Sequence, residues 1–329
     1  MDTLKTAVVG VGHLGRHHAR WYNSINESDL IGVYDTDPDK CHEVAEQLKV
    51  TAFENLSDLY GKIDVASVAV PTTLHYEVAE QLIKNNIHCL IEKPITVTSQ
   101  EAEKLIELAK QHNVIISVGY IERFNPAVQA LKKYDTNPRF IEAHRLASFE
   151  PERGTDVAVI LDLMSHDIDL ALHLIKSPVK NIDASAVAVV SDTADIANAR
   201  LTFENGAVAN LTASRISLSP MRKLRIFQKS GYFSLDLAEK QADIYRLATE
   251  DNTSDVGFRV PLGKSEHEII YNKVAAKDED MLCNELTAFL KAVQQKTQPE
   301  VSAVDAAEAL RIATEIDRIG TNGAAVRDG

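Results

Sequence analysis

The run Thr6-Ala7-Val8-Val9-Gly10-Val11-Gly12-His13-Leu14-Gly15 constrains this chain more than any other stretch. A short β-branched segment ends in glycines spaced G-x-G-x-x-G and passes at once into the helix-like Arg16-His17-His18-Ala19-Arg20. Strand, glycines and helix in that order suit a dinucleotide pyrophosphate. Gly10 permits the tight turn, Gly12 lets the backbone approach the phosphates, and Gly15 lets the helix pack close to the strand. The helix start then offers unpaired N–H groups and a positive dipole end to the anion. A second strand, Leu30-Ile31-Gly32-Val33-Tyr34, ends at Asp35, twenty residues past Gly15, where a carboxylate can accept hydrogen bonds from the adenine-side ribose. An ordinary βα turn without a ligand is the alternative reading.

A chain of 329 residues suggests about two domains, each large enough to bury a core. The formal charge of −13 argues against nucleic acid or an anionic membrane as a main partner. It leaves room for an anionic small molecule, because local basic clusters can outweigh the global field. Cys41, Cys89 and Cys283 are far apart and form no C-x-x-C pair, which suits a reducing compartment and provides no disulfide or zinc framework. The first strand begins almost at once, without a cleavable leader, and no apolar run approaches the roughly twenty residues that span a bilayer. The expectation is a soluble cytoplasmic protein.

Past Asp35, Asp37-Pro38 opens a helix towards Lys49, with an N-cap and proline at the first helical position. A short strand near Ala52 comes next, then the nearly continuous apolar run Asp64 to Val70, as expected of a parallel strand covered on both faces. Pro71-Thr72-Thr73 ends it before a helix from about His75 to Asn85. His88 to Ile91 is a strand leading into Glu92-Lys93-Pro94. Thr98-Ser99-Gln100-Glu101 starts a capped helix to about His112, and Ile115 to Val118 is the last strand of this half. Strands alternating with helices imply an α/β, doubly wound parallel sheet over residues 1–120.

The pattern changes near Gly119. Asn125 to Tyr134 reads as helix, Phe140 to Ser148 as strand, and Val159 to Leu174 as a longer helix. Strand-like runs then appear at Val187–Val190, Ile196–Phe203, Val208–Ser214, Leu224–Gln228 and Tyr232–Leu235, with a hairpin signal at Glu204-Asn205-Gly206. Residues 121–329 are therefore expected to form an α+β domain with a mostly antiparallel sheet. Asp251 to Ser265 reads as a surface loop. Two helices close the chain, one with its apolar face at Leu282, Leu286, Phe289, Leu290 and Val293, the other capped by Ser302-x-x-Asp305 and ending before Gly320.

Three groups of residues could carry chemistry. Lys93 lies just past the carboxyl end of a predicted parallel strand, where ligands of open α/β sheets bind, and Pro94 keeps it out of a helix. Near a cofactor cation its amine could exchange a proton with a substrate hydroxyl; a surface lysine paired with Glu92 is the bland alternative. Asp162, His166, Asp169 and His173 fall on one stripe of an α-helix that is otherwise apolar, an expensive placement unless the stripe lines a cleft. An imidazole there could take a hydroxyl proton as hydride leaves the carbon, with a carboxylate one turn away to orient it. A solvated helix face competes with this reading, and so does a divalent-metal site, although one stripe rarely supplies a full ligand set. The third group is cationic: Arg123, Arg153, Arg215, Arg222, Lys223 and Arg225 are candidates for an anionic substrate, since arginine forks match diphosphate oxygens. Ordinary surface charge is the competing reading for any one of them. His13, His17 and His18 read as packing or phosphate-adjacent groups.

The glycine loop, Glu92-Lys93-Pro94 and Asp162-x-x-x-His166, in that order, make the chain resemble the glucose–fructose oxidoreductase/inositol dehydrogenase (Gfo/Idh/MocA) family nearly end to end. The resemblance implies a Rossmann domain followed by an α/β domain whose large open sheet supports homo-oligomers, dimers or tetramers. It implies that Lys93, Asp162 and His166 meet at the nicotinamide, with Lys93 and His166 working on the oxidised hydroxyl and Asp169 as a partner for that histidine. It places NAD against Gly10, Gly12, His13, Leu14, Gly15, Asp35, Pro71, Thr72, His75, Glu92 and Lys93. It places substrate against Lys93, Arg123, Asn125, Arg153, Asp162 and His166. Gly119-Tyr120-Ile121-Glu122-Arg123-Phe124-Asn125-Pro126 and Leu161 to Asp169 look most like the branch that oxidises the 3-hydroxyl of UDP-N-acetylglucosamine-type sugars. Dehydrogenases of free sugars or polyols are the alternative within the family, and a non-catalytic NAD-sensing regulator is the alternative outside catalysis. Asp35 would repel a 2′-phosphate and no arginine immediately succeeds it, which favours NAD over NADP.

Overall fold

The computed structural model describes residues 3–150, 157–249, 257–263, 265, 267–275 and 279–325, the side chains of 322–325 excepted. Two compact units emerge: residues 1–124 with 279–310, and residues 125–278 with 311–329.

The first unit is built on a parallel sheet of six strands, β1 (Leu4–Val9), β2 (Ser28–Tyr34), β3 (Thr51–Phe53), β4 (Val65–Val68), β5 (His88–Ile91) and β6 (Ile116–Val118), in the order β3-β2-β1-β4-β5-β6. Helices alternate with them: α1 (His13–Tyr22), α2 (Pro38–Leu48), α3 (Thr72–Lys84) and α4 (Ser99–His112). The strand order reverses between β1 and β4, so the crevice where such sheets take ligands opens at the carboxyl ends of those two strands. Local chemistry sets the boundaries. Asp37 caps α2 through the Lys40 N–H, Thr98 and Glu101 form a reciprocal capping box on α4, and α2 and α4 both end on left-handed residues, Lys49 and Asn113. α3 begins at Thr72, three residues before the expected start, because Pro71 already supplies a suitable preceding turn.

The packing differs from a division at residue 120. Helix α7 (Met281–Gln295) packs on α1, and its Leu286, Phe289, Leu290 and Val293 join the core of Val8, Ala19, Tyr22 and Leu30. Full burial of each such large apolar side chain is worth about 1.5–3 kcal/mol. The chain therefore returns from the second unit to complete the first. α8 (Ala303–Ala325) starts at the expected Ser302–Asp305 box but runs through Gly320. That glycine is a close-approach position, since a Cβ on it would lie 2.8 Å from the Ala186 Cβ.

The second unit holds a nine-stranded sheet in the order β14-β15-β13-β12-β11-β7-β10-β9-β8. Its strands are β7 (Phe140–Leu146), β8 (Val179–Val187), β9 (Ile196–Phe203), β10 (Val208–Ser214), β11 (Met221–Gln228), β12 (Gly231–Asp236), β13 (Gln241–Leu247), β14 (Phe258–Pro261) and β15 (Glu268–Val274). Among the described residues of this sheet only β7 and β10 pair in parallel, so the mostly antiparallel open sheet stands as expected. Gly206, at φ +80, makes the β9–β10 turn.

Four expectations require correction. The apolar run Val187–Val190 is not a strand: β8 ends at Val187, and the N–H groups of Val189, Val190 and Ser191 all donate to Asp195 Oδ2 at 2.7, 2.7 and 3.1 Å. A buried carboxylate has claimed the donors that a ladder would use. The expected loop Asp251 to Ser265 contains β14, an edge strand exposed at every position, and its remaining residues lie partly outside the described set. The helix expected over Asn125 to Tyr134 is one α-turn, α5 (Pro126–Gln129), followed by a 3₁₀ turn at Ala130–Lys133. The helix expected from Val159 begins as a π-turn, Ile160–Met164, before α6 (Ser165–Ile175).

Candidate active site

The glycine loop is shaped by what each glycine touches. Gly10 sits at φ +86, and a Cβ there would lie 2.8 Å from the Ala69 carbonyl oxygen. A Cβ at Gly15 would fall 1.8 Å from the Gly10 carbonyl oxygen, so α1 can approach the loop only without a side chain. Gly12 is the opposite case, with nothing within 4 Å of its virtual Cβ. It is also the N-cap of α1 and supplies no side-chain cap, which leaves the first-turn N–H groups available to an anion. His13 and Leu14 are both exposed on that first turn.

Asp35 braces this loop. Its Oδ2 accepts the Val11 N–H at 2.7 Å and its Oδ1 accepts the Asp37 N–H at 2.9 Å. Each carboxylate oxygen has a second lone pair, so accepting these bonds leaves capacity for a ribose hydroxyl. An open Gly12, an uncapped helix start and an acid at the end of β2 fit a dinucleotide.

The turn after β5 carries Glu92, Lys93 and Pro94, all partly exposed. Glu92 Oε1 is 2.8 Å from His18 Nε2, and Glu92 Oε2 accepts the Lys93 N–H at 3.3 Å. Burial alone would raise the Glu92 pKa; the His18 hydrogen bond, the His18 charge and the Lys93 N–H outweigh it and hold the carboxyl below its ordinary range. His18 Nδ1 in turn meets Ser67 Oγ at 3.0 Å, and the Ser67 hydroxyl donates to Tyr22 Oη at 3.0 Å. Tyr22 is wholly buried and its pKa is pushed up, chiefly by that burial. His75 is only 1% exposed, with Nδ1 2.8 Å from the Pro94 carbonyl and Nε2 2.9 Å from the Val70 carbonyl. It acts behind the loop, whereas Pro71 is exposed and Thr72 half-buried on it.

In the second unit, Asp162 lies in the π-turn and His166 in the first turn of α6, both half-buried, as is His173. Asp169, one turn past His166 on α6, is wholly buried, and the wider π-turn shifts Asp162 relative to the other three. The neighbour of His166 anchors the helix. Asp167 receives a two-pronged bond from Arg145 of β7, with Nε to Oδ2 at 3.0 Å and Nη2 to Oδ1 at 2.9 Å, both residues being buried. Sequence reasoning missed this pair, although a signal for it exists. Arg145 occupies a core-facing parity of β7, between Ala143 and the end of the strand, where only a paired charge is tolerated.

Two of the candidate cations, Arg123 and Arg215, have structural tasks, as does Asn125. Arg123 is buried, donating to the Glu300 carbonyl at 2.9 Å and lying 3.6 Å from Asp305. Asn125 is buried as the N-cap of α5 and donates to the Leu237 carbonyl at 2.9 Å. Arg215 is also buried: Nε bonds Asp195 at 2.9 Å, and Nη2 donates to Thr193 Oγ1 at 2.6 Å. Burial would raise the Asp195 pKa, but the Ser191 hydroxyl and the three N–H groups outweigh it and hold this carboxyl well below its usual range. Arg222, Lys223 and Arg225 remain exposed on β11. Arg153 lies outside the described residues.

A glycine loop at the switch point of a sheet in this order defines the first unit as that of a dinucleotide-binding protein. Residues 4–120 match the family model described as "Oxidoreductase family, NAD-binding Rossmann fold", and residues 136–234 match the "GFO/IDH/MocA C-terminal domain". The chain belongs to the Gfo/Idh/MocA family of NAD-binding oxidoreductases. It is 43% identical over 286 residues to a UDP-N-acetylglucosamine 3-dehydrogenase of Acidithiobacillus ferrooxidans, covering 86% of this chain and 88% of that one. A solved structure of that name from the same organism superimposes with a TM-score of 0.87 and 36% identity, over 97% of this chain and 98% of that one. A myo-inositol 2-dehydrogenase of Thermotoga maritima is 24% identical over 93% of each chain.

Proposed function

We propose that this protein oxidises the 3-hydroxyl of a UDP-N-acetylglucosamine-type nucleotide sugar to a ketone, with NAD as the oxidant. The observation that carries the reading is the 43% identity, over most of both chains, to an enzyme named for that reaction. The inositol-named relative is far more distant at 24%. The residues support it: Lys93 stands at the carboxyl end of β5, and Asp162 and His166 keep partial exposure on the segment 160–175, whose other acids, Asp167 and Asp169, are buried.

The roles follow from chemistry. Gly10, Gly12, Gly15 and the start of α1 hold the pyrophosphate, and Asp35 holds the adenine-side ribose, rejecting a 2′-phosphate by like charge. Bound NAD supplies the acceptor for the hydride that leaves the carbinol carbon. His166 takes the hydroxyl proton with the help of Lys93, and Asp162 positions the sugar. One C–H and one O–H bond break and one C=O bond forms, giving ketone, NADH and a proton. The second unit, residues 125–278 with 311–329, contributes the substrate-binding half.

Two coarser features accompany the reading. The cysteines are unpaired, which suits the cytoplasm. The nine-stranded sheet offers one face for a second copy of the chain: Phe140, Phe227, Tyr232, Tyr245 and Tyr271 stack across five neighbouring strands at centroid spacings of 5.4, 4.8, 5.5 and 5.0 Å.

The test is a panel of UDP-N-acetylglucosamine, its uronic acid, myo-inositol and free glucose with NAD, followed by the absorbance of reduced nicotinamide. Turnover confined to the UDP sugars is expected, and Lys93→Met should lower it by about a thousandfold or more, since removing a proton-transfer group costs about 10²–10⁴, with NAD affinity nearly unchanged. Preferred turnover of inositol would establish the polyol reading, and NAD binding without turnover of any sugar would favour a regulator.

A further inference from the structure

The Glu92-Lys93-Pro94 turn is held from behind by two imidazoles on different helices. On one side His18 of α1 bridges Glu92 Oε1 and Ser67 Oγ, at 2.8 and 3.0 Å. On the other His75 of α3 sits between two carbonyls, Nδ1 2.8 Å from Pro94 and Nε2 2.9 Å from Val70, and the neutral ring donates its one N–H to one of them. His18, His75, Ser67 and Tyr22 are at most 1% exposed. Glu92 lies against Gly119, where a Cβ would fall 2.8 Å from its Oε2.

Such a chain is costly as mere packing. Each buried polar group must recover its lost hydration through a partner, and apolar side chains would fill the space between α1 and β4 without that cost. Both brackets end on the residues flanking Lys93. A lysine has a flexible four-carbon stem, so fixing the backbone from which it springs narrows where its amine can reach.

We propose that His18 and His75 are positioning residues that clamp the Glu92-Lys93-Pro94 turn from both sides and so set where the Lys93 amine is presented. Because Glu92 is ionised and accepts only, His18 Nε2 carries the proton in their hydrogen bond. Nδ1 is then held by Ser67, which fixes the ring plane. The inference rests on the assignment of Lys93 to the reaction, and the experiment keeps the two apart.

The variants are His18→Leu, which keeps volume only, and His18→Gln, which keeps an N–H donor towards Glu92. The readouts are kcat and KM with UDP-N-acetylglucosamine, the dissociation constant for NAD, and the rate at which acetic anhydride acetylates Lys93 in the cofactor-free protein, followed by peptide mass spectrometry. The leucine variant is expected to lose about tenfold to a hundredfold in kcat, the size of effect a misplacement of about 1 Å produces. Its NAD affinity and KM should stay within about threefold, its Lys93 acetylation rate should change, and the glutamine variant should regain most of kcat and the original acetylation rate. Should leucine at 18 prevent folding, Ser67→Ala removes only the far partner of the ring and is read the same way. A kcat within about twofold of the parent overturns the proposal. So does a parallel fall of kcat and NAD affinity with Lys93 acetylation unchanged, the mark of a merely structural role. Full turnover in Lys93→Met would overturn the assignment underneath, whatever the His18 variants show.

Discussion

Gly12 and Gly15 are three residues apart in one motif, yet their surroundings predict opposite outcomes for the same substitution. At Gly15 a methyl group would overlap the Gly10 carbonyl oxygen at 1.8 Å, so α1 must move off the loop. Gly15→Ala should cost about 1–3 kcal/mol of stability, the usual cost of overpacking, and weaken NAD binding as a consequence. Gly12→Ala meets nothing within 4 Å, and its backbone, at φ −66, suits alanine. It should fold with an unchanged melting temperature yet bind NAD about tenfold more weakly, a loss of about 1.4 kcal/mol, because the methyl group stands where phosphate approaches. Thermal melts and calorimetric titration with NAD separate the two. The spacing of the motif revealed that glycines were needed; it could not reveal that one faces protein and the other open space. The same limit hid His18, which belongs to the loop by sequence and to Glu92, seventy-four residues away, by contact.

Elements with strong local signals were legible. The capped helices α2 and α4 lie where Asp37-Pro38 and Thr98–Glu101 place them, and β5, β9 and β10 match their apolar runs residue for residue. Elements decided by distant partners were not. β8 and β14 are edge strands, β8 exposed on one side and β14 at every position, and the N–H groups after Val187 turn to Asp195. The start of the Asp162–His166 helix is another case, for nothing in Ile160-Leu161-Asp162-Leu163-Met164 announces a π-turn. The turn matters because it changes how Asp162 sits relative to His166, while α6 stays moored by Asp167 to Arg145. Asp167→Ala leaves the buried guanidinium without its charge partner and should destabilise the protein by about 3–5 kcal/mol. The double variant Arg145→Met with Asp167→Leu removes both charges and should recover most of that loss. Urea denaturation of the two variants, compared as a thermodynamic cycle, checks this. Equal destabilisation of the single and double variants would refute the account.

At the scale of the whole molecule, the parallel half was legible because its chemistry is sequential: each strand is followed at once by the loop that serves the ligand. The return of α7 to the first unit was not, since Leu286, Phe289 and Leu290 declare an apolar face but not which core will bury it. The aromatic ladder has the same character. Phe140, Phe227, Tyr232, Tyr245 and Tyr271 are scattered over 132 positions of sequence and come into line only through the register of β7, β11, β12, β13 and β15. Each pair faces directly across neighbouring strands, and Phe258 of the edge strand β14 extends the row opposite Tyr271 while remaining 76% exposed. This row of rings on one partly solvated face is where the proposed second copy would dock, and a two-fold axis would let the two rows meet. Two substitutions at its middle, Tyr232→Lys and Tyr245→Lys, put like charges on adjacent strands and, across a two-fold interface, face each other's copies. Both side chains stand on the partly exposed side of their strands, opposite the buried Phe233 and Ile244, so the fold should survive. The double variant is expected to sediment as a smaller species than the parent at the same concentration, with its circular dichroism retained. An unchanged sedimentation coefficient would rule this face out as the contact between copies.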